Sequence, residues 1–167
     1  MRGRDRERGL TDALRATSAD LYAYLARRVG SDDASDLLGE TMVVAWRRIT
    51  ELPDDQERAR MWLFGIARTT LLNHARGERR RWTLSGRIRM HTTMPVAAPA
   101  DAGIEVRDAI GRLGPDLAEL VRLVHWEGLS LVQVASVLHI PDSTARSRYA
   151  RAKEELRAAL GVTASAK

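Results

Sequence analysis

The stretch WLFGIARTTLLNHARGERRR, residues 62 to 81, holds side chains that recur at helical spacing. At 100° per residue, Trp62, Ile66, Thr69, Asn73, Arg76 and Arg80 share one sector, while Leu63, Ala67, Leu71 and His74 lie on a different, mostly apolar side. From Arg60 to Arg89 the basic residues are Arg60, Arg68, Arg76, Arg79, Arg80, Arg81, Arg87 and Arg89, opposed only by Glu78. The chemistry such a row can do is non-covalent: guanidinium groups bind phosphate, an aromatic ring stacks on bases, and an amide reads base edges. The alternative is that Trp62 is a core residue and the arginines flank a domain boundary. A helix stopped at Gly77 would also move Arg80 off the row.

A second group lies in GLSLVQVASVLHIPDSTARSRYARAKEELRAAL, which has the layout of a helix-turn-helix. Ser130 caps a short helix with Leu131, Val134, Ala135 and Leu138 inward, and HIPDS forms the turn. A longer helix starts near Asp142 or Ser143, with Ala145, Tyr149, Ala152, Leu156 and Leu160 on its core face. Its other face carries Ser143, Ser147, Ala150, Arg151 and Glu154, with Arg146 on the flank. Small polar residues let a backbone approach the major groove, and arginine binds phosphate or guanine edges. A plain amphipathic helix with a solvated basic face is the alternative.

Covalent and metal chemistry find no support. Cysteine is absent, so there is no thiolate nucleophile or zinc ligand. His74, His91, His125 and His139 show no metal-binding spacing, and there is no Gly-x-Ser-x-Gly or phosphate loop. The reading is a non-enzyme without metal or cofactor. A net charge of +5 points to a polyanionic partner without separating nucleic acid from a membrane surface. No stretch approaches the length of a membrane span, and MRGRDRERG lacks the apolar region of a signal peptide. The absence of cysteine fits a reducing cytosol.

The elements that position these groups are helices throughout. Residues 1–9 read as a disordered basic tail. A helix capped by Ser18 carries Leu21, Tyr22, Leu25 and Val29 and ends at Gly30. Ser31 caps a second helix, with Asp32 and Asp33 against its dipole and Leu37, Val44, Trp46 and Ile49 at apolar spacing to about Thr50. ELPDDQERAR (51–60) reads as a polar loop before a helix from about Met61 to Arg76 or beyond. After a flexible linker at 83–103, broken by Pro95, Pro99 and Gly103, helices follow over about 104–113, 115–126 and from Ser130. The expectation is an all-α chain of two small helical domains, 10–82 and 104–160, with a tail at 161–167.

These segments, in this order, resemble bacterial RNA polymerase sigma factors of the extracytoplasmic-function (ECF) group, group 4 of the sigma-70 family. The resemblance covers about residues 10 to 160. DASDLLGETMVVAWRRI resembles the segment that docks on the polymerase clamp helices. WLFGIARTTLLNHARGERRR resembles the segment that opens the minus-ten element, and the helix-turn-helix resembles the minus-thirty-five reader. The domains would thus be a region 2 helical bundle and a region 4 helix-turn-helix. The resemblance implies polymerase docking by Asp36, Leu37, Glu40 and Thr41, with the carboxylates one turn apart and Leu37 and Thr41 alongside. It implies a minus-ten contact by Asn73, to which the helical row adds Trp62, Thr69, Arg76 and Arg80, and flipped-base selection by the loop 51–60. It implies minus-thirty-five contacts by Arg146, Ser147, Ala150 and Arg151, and Ser143 joins them on the same helix face. The implied partners are core RNA polymerase (clamp helices and flap), promoter DNA and an anti-sigma factor, in the cytoplasm without membrane insertion.

The chain departs from the family pattern at Gly39, where glutamine is usual, at Thr69, where asparagine is frequent, and at His139, where glycine is usual. His139 is then expected to hold a positive φ. A dimeric helix-turn-helix regulator that ignores polymerase remains the rival reading, and it leaves Asp36, Glu40 and the row at 62–81 unexplained.

Overall fold

A computed structural model describes residues 3–84 and 103–161. Of the linker expected at 83–103, residues 85–102 lie outside them, as does most of the C-terminal tail, and residues 83 and 84 belong to a helix instead. Among the described residues there are helices α1 (Gly3–Val29), α2 (Ser31–Arg47), α3 (Gln56–Leu84), α4 (Ile104–Arg112), α5 (Pro115–His125), α6 (Leu131–Leu138) and α7 (Asp142–Ala159), a 3-10 turn at Ile49–Glu51, and no strand. No described helix is long and apolar enough to cross a membrane. The chain divides into two compact units, Met1–Ala97 and Ala98–Lys167.

In the first unit α1, α2 and α3 pack on one another. The buried stripe of α1 runs through Leu10, Ala13, Thr17, Leu21, Tyr24 and Arg28, at steps of three and four residues. This corrects two expectations: residues 3–9 are helical rather than a disordered tail, and Ser18 sits mid-helix, its hydroxyl donating to Leu14 O at 2.5 Å. The stripe begins at Leu10, so the residues before it only propagate a helix already nucleated. Two polar members, Thr17 and Arg28, hide the period from a hydrophobicity reading. Arg28 stays buried because its guanidinium lies 3.7 Å from the Tyr24 ring centroid and its Nη1 donates to Tyr24 O at 3.0 Å.

Gly30 reverses the chain at φ 84°, a conformation that costs glycine little. It also serves as the N-cap of α2, so Ser31 is the first helical residue and not the cap. Asp32 and Asp33 do occupy the first turn. α2 stops at Arg47, short of Thr50, and the 3-10 turn follows. Arg48 clasps Glu51 across that turn with bonds of 3.0 and 2.5 Å. The hydrogen bond from Arg48 holds the Glu51 carboxyl below its usual range, and its counterpart raises the Arg48 guanidinium.

The loop before α3 is shorter than expected. Asp55 Oδ1 accepts from Arg58 N at 2.8 Å, an N-cap that starts the helix five residues before Met61. The first turn looked like loop because Gln56, Glu57 and Arg58 are exposed. The helix continues through Gly77 to Leu84. Tyr24 and Phe64 meet edge to face, centroids 5.5 Å apart, and Arg60 pairs with Asp20 at 3.0 Å.

In the second unit the local signals hold. Pro115 opens α5, and Ser130 forms a capping box with Gln133 at 3.3 and 2.8 Å. Ile110, Leu113, Leu117, Ala118, Val121 and Ala152 form a buried cluster, flanked by Trp126 and Leu156. Arg148 reaches Asp116 at 3.5 Å and His125 Nε2 meets the Tyr149 hydroxyl at 3.0 Å, tying α7 to α5. Phe64→Ala should destabilise the chain by about 3–5 kcal/mol in urea denaturation. A loss below about 1 kcal/mol would mean that the aromatic pair does not organise the first unit.

Candidate nucleic-acid interface

α7 presents its five predicted residues together. Ser143, Arg146, Ser147, Ala150 and Arg151 are all exposed, whereas Ala145 and Ala152 on the reverse side are fully buried. Ser147 Oγ donates to Thr144 O at 3.1 Å, and Arg151 Nε donates to Glu155 Oε1 at 2.8 Å. That pair is solvent-exposed and weak, so a phosphate can displace the carboxylate. Glu154 is engaged by Arg157 at 2.5 Å. His139 adopts φ 53°, ψ 46° in the turn, as expected, with its side chain exposed.

The row on α3 is only partly brought to the surface. Thr69, Asn73, Arg76 and Arg80 are exposed. Ile66 is buried and Trp62 half-buried, with its indole Nε1 enclosed and without a hydrogen-bond partner among the described residues. Burial along α3 depends on axial level more than on face. Met61 to Ala67 sit within the bundle, and the last buried side chain is Thr70. Trp82, 49% exposed beside Arg79 and Arg81, was not singled out from the sequence although it closes the arginine run. Arg81 pairs with Glu78.

On α2, Asp36 and Glu40 are exposed and one turn apart, but Leu37 and Thr41 are buried, Thr41 Oγ1 donating to Leu37 O at 2.7 Å. They cannot stand alongside the carboxylates, because about 100° of helix rotation turns them into the bundle. The outward row is completed by Gly39, Val43 (49% exposed) and Trp46 (51% exposed). Trp46 was expected at a core spacing; exposed apolar residues between charges are the signal that a periodicity reading misses. Between α1 and residues 52–57 lie two adjoining grooves, of about 430 and 540 Å³, both lined by Ala13 and Gln56. The segment expected to select a flipped base forms one wall of each. Among the described residues no group of His, Asp and Glu is arranged to hold a metal. His91 lies outside them.

Residues 14–81 match the family model for Sigma-70 region 2, and residues 104–156 that for Sigma-70, region 4. Over 155 residues the chain is 30% identical to the ECF RNA polymerase sigma factor SigL of Mycobacterium tuberculosis, covering 87% of each. The chain belongs to the ECF sigma factors. This sigma factor is also 32% identical over 154 residues to SigC of Mycobacterium tuberculosis, covering 89% of this chain and 82% of SigC. Among solved structures, the sigma factor RpoE from Bartonella quintana, in complex with the anti-sigma factor NepR, matches with a TM-score of 0.65 at 24% identity, covering 95% of this chain and 98% of that one. CnrH in complex with the cytosolic domain of CnrY matches at 0.60 and 22% identity, covering 95% and 91%. Both structural likenesses speak for the fold. The family is one of transcription initiation factors, and region 4 is a DNA-binding domain.

His139→Gly should raise stability by up to about 1 kcal/mol, since the left-handed conformation penalises a side chain and not glycine. Chemical denaturation reads this directly, and a loss of stability would show that the imidazole contributes more than its backbone costs.

Proposed function

We propose that this ECF sigma factor docks on core RNA polymerase and directs promoter-specific initiation, as a cytoplasmic member of group 4. The observation that supports it best is one chain holding a region 2 bundle and a region 4 helix-turn-helix, with exposed arginines on the helix of each that the reading assigns to DNA. α7 reads the minus-thirty-five duplex through Ser143, Arg146, Ser147, Ala150 and Arg151. α3 holds the unpaired minus-ten strand through Thr69, Asn73, Arg76 and Arg80, with Trp62 closing the inner end of that row. The loop before α3 receives a flipped base. Strand opening is then driven by binding energy and not by ATP.

Asp36 and Glu40 meet the basic clamp helices, with Val43 and Trp46 adding apolar contact. The second unit engages the flap, and the linker joins the two readers across polymerase. An anti-sigma protein covers the polymerase-binding surfaces when transcription is off; the sigma factor RpoE, alike in fold, is itself found in complex with an anti-sigma factor, NepR.

Binding of the full chain to sigma-free core polymerase tests this reading. Glu40→Arg should weaken it at least tenfold, about 1.4 kcal/mol. A chain that ignores core polymerase but binds duplex DNA would instead be a plain helix-turn-helix regulator. In the holoenzyme, Arg146→Ala should cost about 1–3 kcal/mol on a selected promoter and relax base preference. Weakening that is equal on all sequences would assign Arg146 to phosphate alone.

A further inference from the structure

The contacts Asp20–Arg60 and Tyr24–Phe64 both join residues 40 apart in sequence. α1 and α3 therefore run side by side in one direction, and Val29, the last residue of α1, stands level with Thr69. α2 begins just beyond Val29 and runs back along the bundle. Thr70, 6% exposed, is correspondingly the last buried residue of α3. From Leu71 the helix continues past the ends of both neighbours for about 20 Å, at 1.5 Å per residue.

This arm has little to keep it helical. None of its side chains from Leu71 to Thr83 is fully buried, Leu71, His74, Ala75 and Glu78 being half-buried, and the exposed pair Glu78–Arg81 adds little. A helix of its length is marginal in water without packing. Arg76, Arg79 and Arg80 stand three and four residues apart, where like charges repel. Gly77 lies at its middle, and a Cβ there would meet nothing within 4 Å, so no crowding within the chain calls for glycine. Relative to alanine, glycine lowers the helical weight at such a site by up to about fivefold.

We propose that Gly77 is a positioning residue: it keeps the arm partly unwound in the free protein, so that Arg76, Arg79 and Arg80 align only when the phosphates of a single strand neutralise them. This rests on the assignment of α3 to the minus-ten strand. The affinity is then multiplied by the fraction of arms already helical, so a smaller fraction means weaker binding. Removing the glycine restores affinity without adding a contact.

The test compares the full wild-type chain with Gly77→Ala, and with Gly111→Ala in α4 as a control whose Cβ also meets open space. Amide hydrogen exchange of the free chains should show residues 77–83 less protected than 61–67, and slowed by Gly77→Ala alone. Bound to core polymerase, Gly77→Ala should hold a labelled single-stranded oligonucleotide of mixed sequence about two- to fivefold tighter. Its salt dependence should be unchanged, because the number of phosphates met is the same. Slower exchange with unaltered affinity would overturn the proposal, as would a wild-type arm already as protected as the bundle. A wild-type holoenzyme that ignores single strands would remove the assignment of α3 itself, and the proposal with it.

Discussion

The edge-to-face contact of Tyr24 with Phe64 is the constraint from which the first unit follows. With Asp20 and Arg60 one turn away, it locks α1 and α3 in a single parallel register. A third helix joining two parallel ones must run antiparallel, and Gly30 at positive φ permits the reversal within one residue. The same register decides how much of α3 remains covered and where its arginines leave the bundle. The enclosure of Phe64 and the exposure of Arg76 are thus two readings of one alignment. Aromatic pairs of this geometry contribute beyond their buried area, typically about 0.5–1.5 kcal/mol.

How far the sequence predicted the structure differs between the units, for physical reasons. In the second, each boundary is written locally. Pro115 can only open a helix, Ser130 and Gln133 satisfy each other's backbone groups, and His139 with Pro141 ends one helix before the next begins. In the first, the deciding contacts are long-range. Thr17 and Arg28 are core residues because of what surrounds them, whereas the cap by Asp55 on Arg58 N is local but stands within a run of exposed polar residues. Such residues look polar until the fold is known.

The sites divide in the same way. On α7 the inward positions are alanines and the outward ones serine, alanine and arginine, so periodicity alone separates the faces. On α2 the residues implied by family resemblance straddle both faces. Asp36 and Glu40 look out, while Leu37 and Thr41 look in. Residues adjacent in sequence can serve different purposes: here one pair faces solvent and the other builds the bundle that holds it.

The alanines that seat α7 carry a consequence for how such a protein can change over generations. Ala145 and Ala152 are fully buried, and none of the five outward residues proposed to read DNA reaches the core. Exchanges at exposed positions of this kind usually move stability by no more than about 0.5 kcal/mol. The outward face can therefore drift through many residue combinations while the domain stays folded. The outward residues of α2, Asp36 and Glu40 among them, are exposed in the same way and stand between buried neighbours as those of α7 do. Packing alone therefore leaves the outward faces of both helices open to revision, and any constraint on them comes from what they meet.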